Sequence, residues 1–298
     1  MIYAPIALFV YRRLSHTKTT VESLLRNKEA AESVLYIFSD AARSEKDSAA
    51  VSEVREYIHS ITGFQAVHLI EQDKNRGLAN SIISGVSSVL EDHDRVIVIE
   101  DDLLLSPYFL QYMNIGLSIY QNEERVASIH GYTYPIQMNL PETFFLRGAD
   151  CWGWATWKRA WLHFEPDAEK LYKEIMYSGQ KAEFDYHGYA GNIKMLLKQI
   201  TGRIDSWAIR WHASAFLANM VTLYPGVSLV QNIGMDGGGT HSDATGAFET
   251  KLNLKPTLVQ YKTPEVEPAI VAALENYFRL SRPNAFNKLM SRIHKMWR

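Results

Sequence analysis

Residues 95–102 read Arg-Val-Ile-Val-Ile-Glu-Asp-Asp, and this stretch decides the fold of the chain. Its four consecutive β-branched residues make a short apolar run, which predicts a strand buried on both faces. Three carboxylates follow at once. Adjacent acids at the end of a buried strand repel one another and resist desolvation, so they need a cation or water. The stretch therefore predicts a central strand with a polar site at its carboxyl end.

The acids themselves, Glu100, Asp101 and Asp102, indicate what that site holds. In open α/β sheets, ligands gather in the crevice at the carboxyl ends of the strands. Hard oxygen donors suit Mg²⁺ or Mn²⁺, which proteins usually share with substrate phosphates. We therefore expect a divalent metal on one or two of these acids, with a phosphate-bearing ligand beyond it. The alternative is a polar turn that caps a helix beginning near Pro107.

The chain before this stretch alternates between two periodicities. Apolar runs predict strands at 6–10, 34–38 and 66–70, and helical spacing predicts helices at 19–26, 52–60 and 75–90. Strands alternating with helices indicate βαβ units and a mostly parallel, Rossmann-like sheet. Beyond residue 102 we expect helices at 107–120 and 208–220, a strand at 126–130 and a short strand near Val230. Residues 165–203 are amphipathic and predict helices.

Polar residues end the predicted strands: Arg13, Asp40 and then the three acids. Carboxyl ends of parallel strands meet at one edge, so these side chains should converge. The chain has neither Gly-x-Gly-x-x-Gly after the first strand nor Gly-x-x-x-x-Gly-Lys-Ser/Thr anywhere. It is therefore no obvious dinucleotide enzyme or P-loop NTPase. A nucleotide here would be held by side chains and a metal.

Composition excludes some classes of protein. The chain is 47% apolar and 21% charged, with a net charge of −2, which is ordinary for a globular protein and gives no support to nucleic-acid binding. Cys151 is the only cysteine, so intrachain disulfides are impossible and a reducing, cytoplasmic location is expected. The apolar residues 1–10 are too short to span a bilayer and lack the features of a signal peptide.

Aromatic residues are dense at 151–157, Cys-Trp-Gly-Trp-Ala-Thr-Trp. Core packing is one interpretation of this stretch. A platform for a sugar ring is the other, with Trp152 or Trp154 as the platform, because the intervening glycine lets backbone approach a ligand. Trp157 and Trp161 are expected on one buried helix face.

Three later features bear on function. Asp205 and Ser206 precede a predicted helix, and either could be its N-cap. Residues 234–239, Gly-Met-Asp-Gly-Gly-Gly, predict a loop whose N–H groups could cradle phosphate, and His241 could complete a metal shell.

After residue 247 we expect little core. Residues 286–298 have the pattern of a basic amphipathic helix, which either lies on an anionic membrane or docks on the protein.

Together, these motifs resemble a known family. Residues 5–13 (Pro-Ile-Ala-Leu-Phe-Val-Tyr-Arg-Arg), 38–40 (Phe-Ser-Asp), 75–79 (Asn-Arg-Gly-Leu-Ala) and 98–103 (Val-Ile-Glu-Asp-Asp-Leu) occur in the order seen in GT-A-fold glycosyltransferases. The similarity is to the N-acetylglucosaminyltransferase I branch and its bacterial relatives. It continues through 106–109, Gly153-Trp154 and 205–207 to 239–241, and so covers roughly the first 245 residues.

The resemblance implies a GT-A fold, an α/β domain with a mostly parallel central sheet flanked by helices and a C-terminal helical tail. It divides the chain into a nucleotide-sugar-binding half at 1–105, an acceptor-binding half of the same domain at 106–245, and an extension at 246–298. Metal ligands would be Asp102 and His241, a histidine that departs from this branch but resembles metal-binding histidines of related GT-A enzymes. Asp205 would be the catalytic base. Donor-binding residues would be Arg13, Asp40 (reading uracil), Lys74, Asn75, Arg76, Glu100, Asp101, Gly153, Trp154, Gly238 and Gly239.

The resulting hypothesis is a Mn²⁺- or Mg²⁺-dependent transferase that moves a sugar from a nucleotide sugar, expected to be UDP-linked, to a hydroxyl of a glycan or lipid-linked acceptor. A single base opposite the leaving group implies inversion. One alternative is a sugar nucleotidyltransferase, although such enzymes typically have a Gly-rich loop after the first strand and residues 11–16 contain no glycine. Another is a non-catalytic nucleotide- or sugar-binding protein. The sequence expectation is a cytoplasmic enzyme, with peripheral membrane contact through the basic C-terminal helix.

Overall fold

The computed structural model describes residues 3–235 and 248–281. Its strands are β1 (Ile6–Val10), β2 (Val34–Ser39), β3 (Ala66–Glu71), β4 (Arg95–Glu100), β5 (Leu103–Leu105), β6 (Val126–His130), β7 (Thr143–Arg147), β8 (Trp154–Trp157), β9 (Val221–Pro225) and β10 (Val230–Asn232). Its α-helices are α1 (Leu14–Leu25), α2 (Glu45–His59), α3 (Leu78–Asp92), α4 (Phe109–Ile119), α5 (Lys158–Trp161), α6 (Ala168–Tyr177), α7 (Lys181–Phe184), α8 (Asn192–Ile200), α9 (Trp207–Leu217) and α10 (Pro268–Ser281).

Eight of these strands form the central sheet, in the order β3-β2-β1-β4-β8-β6-β9-β7. The first four are parallel neighbours, as βαβ connections require. Strand β8 runs antiparallel between β4 and β6, and β7 pairs antiparallel with β9 at the edge. The prediction of a mostly parallel, Rossmann-like sheet flanked by helices is confirmed, with a C-terminal helix. We call the side on which β1 to β4 end the carboxyl edge.

Strand β4 occupies the centre of this sheet, as its composition predicts. Its residues Val96 to Ile99 are fully buried between β1 and β8. The strand ends at Glu100, and β5 follows after a turn at Asp101 and Asp102. Helix α4 begins only at Phe109 and has no side-chain N-cap. The interpretation of the acids as a helix cap is therefore wrong, because they connect two strands.

Four strands were not predicted, namely β5, β7, β8 and β9. Each is short, and its partner is remote in sequence, since β8 pairs with both β4 and β6, and β7 pairs with β9. Short apolar segments become strands when tertiary neighbours offer edges to pair with. For this reason Trp157 belongs to a strand rather than to a helix face shared with Trp161, although both side chains are buried.

Residues 248–281 pack on the body of the protein. Ile270 and Leu274 of α10 join a buried cluster with Phe144 and Tyr224, and Val266 bridges to the edge strand β7. The expectation of little core after residue 247 is therefore wrong for this part of the chain. The basic helix expected at 286–298 lies outside the described residues. Within 3–235 and 248–281, no helix has both the length and the apolarity needed to cross a bilayer.

Candidate functional site

The acidic triplet, Glu100-Asp101-Asp102, meets Arg13 at the carboxyl edge. Arg13 directly precedes α1, and its Nη2 donates to Asp101 Oδ1 at 3.2 Å and to Asp102 Oδ2 at 2.7 Å. The backbone N–H of Tyr11 donates to the other oxygen of Asp101 at 3.2 Å. The convergence expected from the ends of β1 and β4 is thus present in the structure.

Two buried hydroxyls of α1 hold the backbone around the triplet, and sequence reasoning missed them. Thr20 Oγ1 donates to the Asp101 carbonyl at 2.9 Å and accepts the Leu103 N–H at 3.2 Å. Ser23 Oγ accepts the Leu105 N–H at 3.1 Å. Polar residues at a three-residue spacing on the inner face of a helix were the available signal. They anchor the turn and leave its carboxylates to other partners.

Burial makes the triplet electrostatically costly. Desolvation raises the pKa of Glu100 well above its usual value, and the charges of Asp102 and Asp101 add to the rise. Desolvation, with the Asp102 charge, also raises the pKa of Asp101 to about 6, against the opposing effect of Arg13. Desolvation lowers the pKa of Arg13, but the charges and hydrogen bonds of Asp101 and Asp102 have the larger combined effect, so the pKa of Arg13 is raised. One guanidinium does not compensate three neighbouring acids, of which Asp101 is buried and the other two are partly buried, so a further cation at this site would be stabilised.

The raised pKa of Asp101 predicts a pH-dependent effect of Asp101→Asn. A carboxyl that titrates at about 6 in the folded chain and at 3.8 when unfolded costs stability progressively as pH rises between those values. With a chelator present, the free energy of unfolding of the variant should therefore rise relative to that of wild type, by up to about 3 kcal/mol between pH 4 and pH 7. Urea unfolding of both proteins across this range measures the difference. A difference that does not change with pH contradicts the raised pKa.

Asp40 organises the turn that precedes α3. Its Oδ1 accepts N–H groups of Ala41 and Arg76, each at 2.9 Å. Its Oδ2 accepts Asn75 Nδ2 at 3.0 Å and the Gly77 N–H at 2.9 Å. Because a carboxylate has about four acceptor positions, none remains for a base. The expected contact between Asp40 and uracil does not fit this geometry, since the carboxylate holds the turn instead.

Asp40→Asn should therefore act on stability. An amide has one acceptor oxygen, so two of the four N–H groups lose their partner in a buried setting, at a cost of about 2–3 kcal/mol in total. Urea unfolding measures this loss. The matched control is Asp73→Asn, an exposed residue beside the same turn, which should leave stability unchanged. Equal stability of the Asp40 variant and wild type would show that the carboxylate does not hold the turn.

A cavity of about 190 Å³ opens beside this turn, between β2, β3 and α3. Its polar lining includes Ser39, Gln72, Arg76 and Ser81, and the Ser81 hydroxyl is buried with no partner among the described residues. This volume is about that of six water molecules in the liquid. Lys74 and Arg76 are exposed at the same place. Nucleotide binding by the 74–76 segment stays a prediction.

The Gly153-Trp154 turn packs inside the protein. Trp154 is fully buried, with its ring 5.3 Å from Trp207 and 6.1 Å from Trp211. Gly153 has φ +63°, and a Cβ there would lie 2.8 Å from Val230 Cγ2, so this glycine permits close packing on β10. Trp154 cannot present its ring to a sugar because it belongs to the core. Trp152 is only partly buried, so the interpretation of this stretch as a sugar platform now concerns Trp152.

Asp205 lies just before α9 and is not its cap. Ser206 is the N-cap, since its Oγ accepts the Ile209 N–H at 3.4 Å. Asp205 Oδ1 instead accepts Arg210 Nη2 at 2.9 Å, and 55% of its side chain is exposed. Trp207, the first residue of α9, stacks on Trp154 at the start of β8. The Asp205 carboxylate thus contacts Arg210 rather than the triplet.

The Gly-rich run begins against the triplet. The Ile233 N–H donates to the Asp102 carbonyl at 2.8 Å. A Cβ on Gly234 would lie 2.2 Å from Asp102 Oδ2 and 2.9 Å from Arg13 Nη1, so a larger residue there would displace these two side chains. Gly238, Gly239 and His241 lie outside the described residues. Within the part of the chain that is described, no three His, Cys, Asp or Glu side chains form a metal-binding group.

Solved structures similar to this chain share little sequence with it. No family model and no curated protein matches the chain. Among solved structures, it is similar to a mannosyltransferase from Pyrobaculum calidifontis in complex with GDP-Man and Mn²⁺, at 14% identity and a TM-score of 0.34 over 45% of this chain and 36% of that one. A similarity to TarS of S. aureus has 11% identity and a TM-score of 0.33, over 49% of this chain and 24% of that one.

A third match is a UDP-glucose pyrophosphorylase complexed with UDP-glucose, at 12% identity and a TM-score of 0.35, over 74% of this chain and 90% of that one. The chain thus spans about a third or less of the length of the first two structures and most of the third. Because these identities and TM-scores are low, the matches assign no activity to the chain.

Proposed function

We propose that this protein is a GT-A-fold glycosyltransferase that transfers a sugar from a UDP-linked donor to a hydroxyl acceptor, with a divalent metal and with inversion. The observation that carries the proposal is the position of Asp102. It lies in the turn that follows the central parallel strand, contacts Arg13, and is covered by the first residue of a Gly-rich run. Carboxylate, guanidinium and backbone N–H groups at one strand end suit a metal-bound diphosphate.

The residues present fit Mn²⁺ or Mg²⁺. Asp102 and Asp101 offer hard oxygen donors. Burial first, and then repulsion between neighbouring carboxylates, raises the pKa of Glu100 and of Asp101, and a bound cation would offset both effects. We assign Asp102 as the principal ligand and His241 as a further one. When bound, the metal would stabilise negative charge on the diphosphate leaving group.

The side chains around the triplet divide the remaining tasks. Arg13 and the N–H groups of the run that includes Gly238 and Gly239 would stabilise the diphosphate. Lys74, Asn75 and Arg76 would contact the nucleoside, on a turn that Asp40 holds. Asp205 would accept the proton of the acceptor hydroxyl as its oxygen bonds to the anomeric carbon. The bond from that carbon to the phosphate oxygen breaks, and its electron pair leaves with UDP.

We retain the division into a donor half at 1–105 and an acceptor half at 106–245. A glycan or lipid-linked acceptor, a cytoplasmic location and membrane contact through 286–298 belong to the same proposal. A nucleotidyltransferase is disfavoured because α1 begins one residue after Arg13, which leaves no glycine loop between β1 and the helix.

Calorimetry of UDP binding, with Mn²⁺ and with chelator, tests the proposal directly. We expect binding that depends on the metal, followed by slow release of UDP from a UDP-sugar in the presence of Mn²⁺. Absence of binding under both conditions contradicts the proposal. Release of pyrophosphate from UTP and a sugar 1-phosphate would identify the nucleotidyltransferase instead.

A further inference from the structure

Asp150 lies in the turn that leads into β8, apart from the residues assigned above. Its Oδ1 accepts the Cys151 N–H at 2.9 Å, and its Oδ2 accepts the Tyr134 hydroxyl at 2.6 Å. These two bonds fix the plane of the carboxylate, while 23% of the side chain stays exposed. Because a carboxylate has about four acceptor positions, about two remain for a ligand.

Among the residues that the structure describes, no Lys or Arg lies within ion-pair distance of Asp150. Within ion-pair distance, its partner among the described residues is His130, whose Nε2 lies 3.9 Å from Asp150 Oδ2. His130 is fully buried, neither of its ring nitrogens has a hydrogen-bond partner in the described chain, and burial lowers its pKa to about 4. Burial also raises the pKa of Tyr134, which keeps its hydroxyl a donor. A half-buried carboxylate among neutral groups is stabilised by a ligand that donates hydrogen bonds.

Aromatic rings surround this carboxylate. Trp152 packs edge-on against Tyr132 at 4.7 Å and against Phe248 at 5.5 Å. Tyr134 packs against Tyr132 at 5.3 Å and against Phe278 of α10 at the same distance. Small-molecule sites typically combine such apolar rings with a few oriented polar groups. A pyranose matches both, since its C–H face suits an aromatic ring and its hydroxyls donate to a carboxylate.

Backbone strain occurs beside the same rings. Tyr186 and His187 are consecutive non-glycine residues with φ of 45° and 53°. This conformation brings the Tyr186 ring to 5.2 Å from Phe278, and burial together with the Asp150 charge raises the pKa of Tyr186. Strained residues of this kind cost of order 1–3 kcal/mol each and cluster at functional sites.

The turn also adjoins the acidic triplet. Trp154, which starts β8, pairs with Val98 of β4, two residues before Glu100. Burial raises the pKa of the Cys151 thiol, and the charges of Asp150, Glu100 and Asp102 raise it further. A ligand on Asp150 would therefore lie beside a donor held at the triplet.

We propose that Asp150 and Trp152 form the acceptor subsite, in which the carboxylate accepts hydrogen bonds from pyranose hydroxyls and the indole contacts the sugar ring. The inference rests on the proposed glycosyltransferase function and specifies its acceptor as a sugar. Asp150 binds the acceptor, and Tyr134 is a positioning residue that orients the carboxylate.

The test is saturation-transfer NMR with UDP and Mn²⁺ present, using the methyl glycosides of glucose, galactose, mannose and N-acetylglucosamine as probes. Wild type should bind at least one of them. Asp150→Asn should weaken that binding about 10- to 100-fold, as expected for loss of hydrogen bonds to a charged group. Trp152→Leu provides a second variant should the first fail to fold. Asp167→Asn, an exposed N-cap of α6 where Asn caps equally well, is the matched control.

The outcomes separate this inference from the proposed function. Calorimetry should give the same UDP affinity for wild type and the folded variants. Unchanged glycoside binding in the folded variants overturns the subsite alone, as does a wild type that binds UDP and none of the four glycosides. A wild type that does not bind UDP overturns the proposed function and the subsite with it.

Discussion

Replacing Asp102 with Asn should abolish the Mn²⁺-dependent part of UDP binding. The substitution removes the charge of the proposed principal ligand and keeps the size of the side chain. Since changes in residues that merely support metal ligands cost 10- to 100-fold in affinity, we expect a loss of at least about 100-fold here. Calorimetry with UDP and Mn²⁺ measures the change, and electron paramagnetic resonance of Mn²⁺ reads metal binding without any turnover.

The matched control for this experiment is Asp92→Asn. Asp92 is exposed at the end of α3, on the side of the sheet opposite the triplet, and the same chemical change there should leave UDP and Mn²⁺ affinity unaltered. We expect the Asp102 variant to fold, because Arg13 still contacts Asp101 at 3.2 Å. Thermal unfolding checks this expectation. Normal metal-dependent UDP binding in a folded Asp102 variant would remove the central support of the proposed function.

Asp205→Asn should separate donor binding from transfer. As the proposed base, Asp205 contributes to the step in which the acceptor hydroxyl loses its proton, and a positioned base is worth about 10²- to 10⁴-fold in rate. The variant should keep wild-type UDP affinity and lose transfer by that factor. Its amide still accepts a hydrogen bond from Arg210, which limits the structural change. Transfer is measured with the acceptor sugar that binds best in the NMR experiment.

Ser206→Ala supplies the comparison for Asp205. Ser206 caps α9, so its loss should reduce the free energy of unfolding by about 1 kcal/mol and leave transfer by the folded protein intact. We thus expect Asp205→Asn to change the rate of transfer and Ser206→Ala to change stability. Turnover at the wild-type rate in Asp205→Asn would refute its assignment as the base.

The parallel half of the fold could be predicted because its signal is local. The apolar runs of β1 and β4 are long enough to be predicted as strands from sequence. Acids placed directly after β4 must then lie at the edge of the sheet. Arg13 was predicted at that edge for the same reason, and it contacts the acids. Burial of a β-branched run and the alternation of strand with helix do not depend on remote residues.

The roles of Asp40 and Trp154 could not be predicted in this way. Both were expected to face a ligand. In the structure, Asp40 has four N–H partners, three of them more than thirty positions away in sequence, and Trp154 lies among other tryptophans. Sequence shows that a polar or aromatic residue is present at a strand end. Whether its side chain is already committed to the protein depends on which distant segments fold against it.

The amino-acid sequence by itself therefore determined the class of fold, the central strand β4 and the edge where the acids gather. Tertiary structure alone decided which polar groups at that edge remain available. Asp40 is committed to a turn, Asp102 faces Arg13 and Gly234, and Asp150 keeps acceptor capacity in an aromatic setting. The physical reason is that strand burial follows from local hydrophobicity, whereas hydrogen-bond partners and desolvation arise from segments that meet only when the chain is folded.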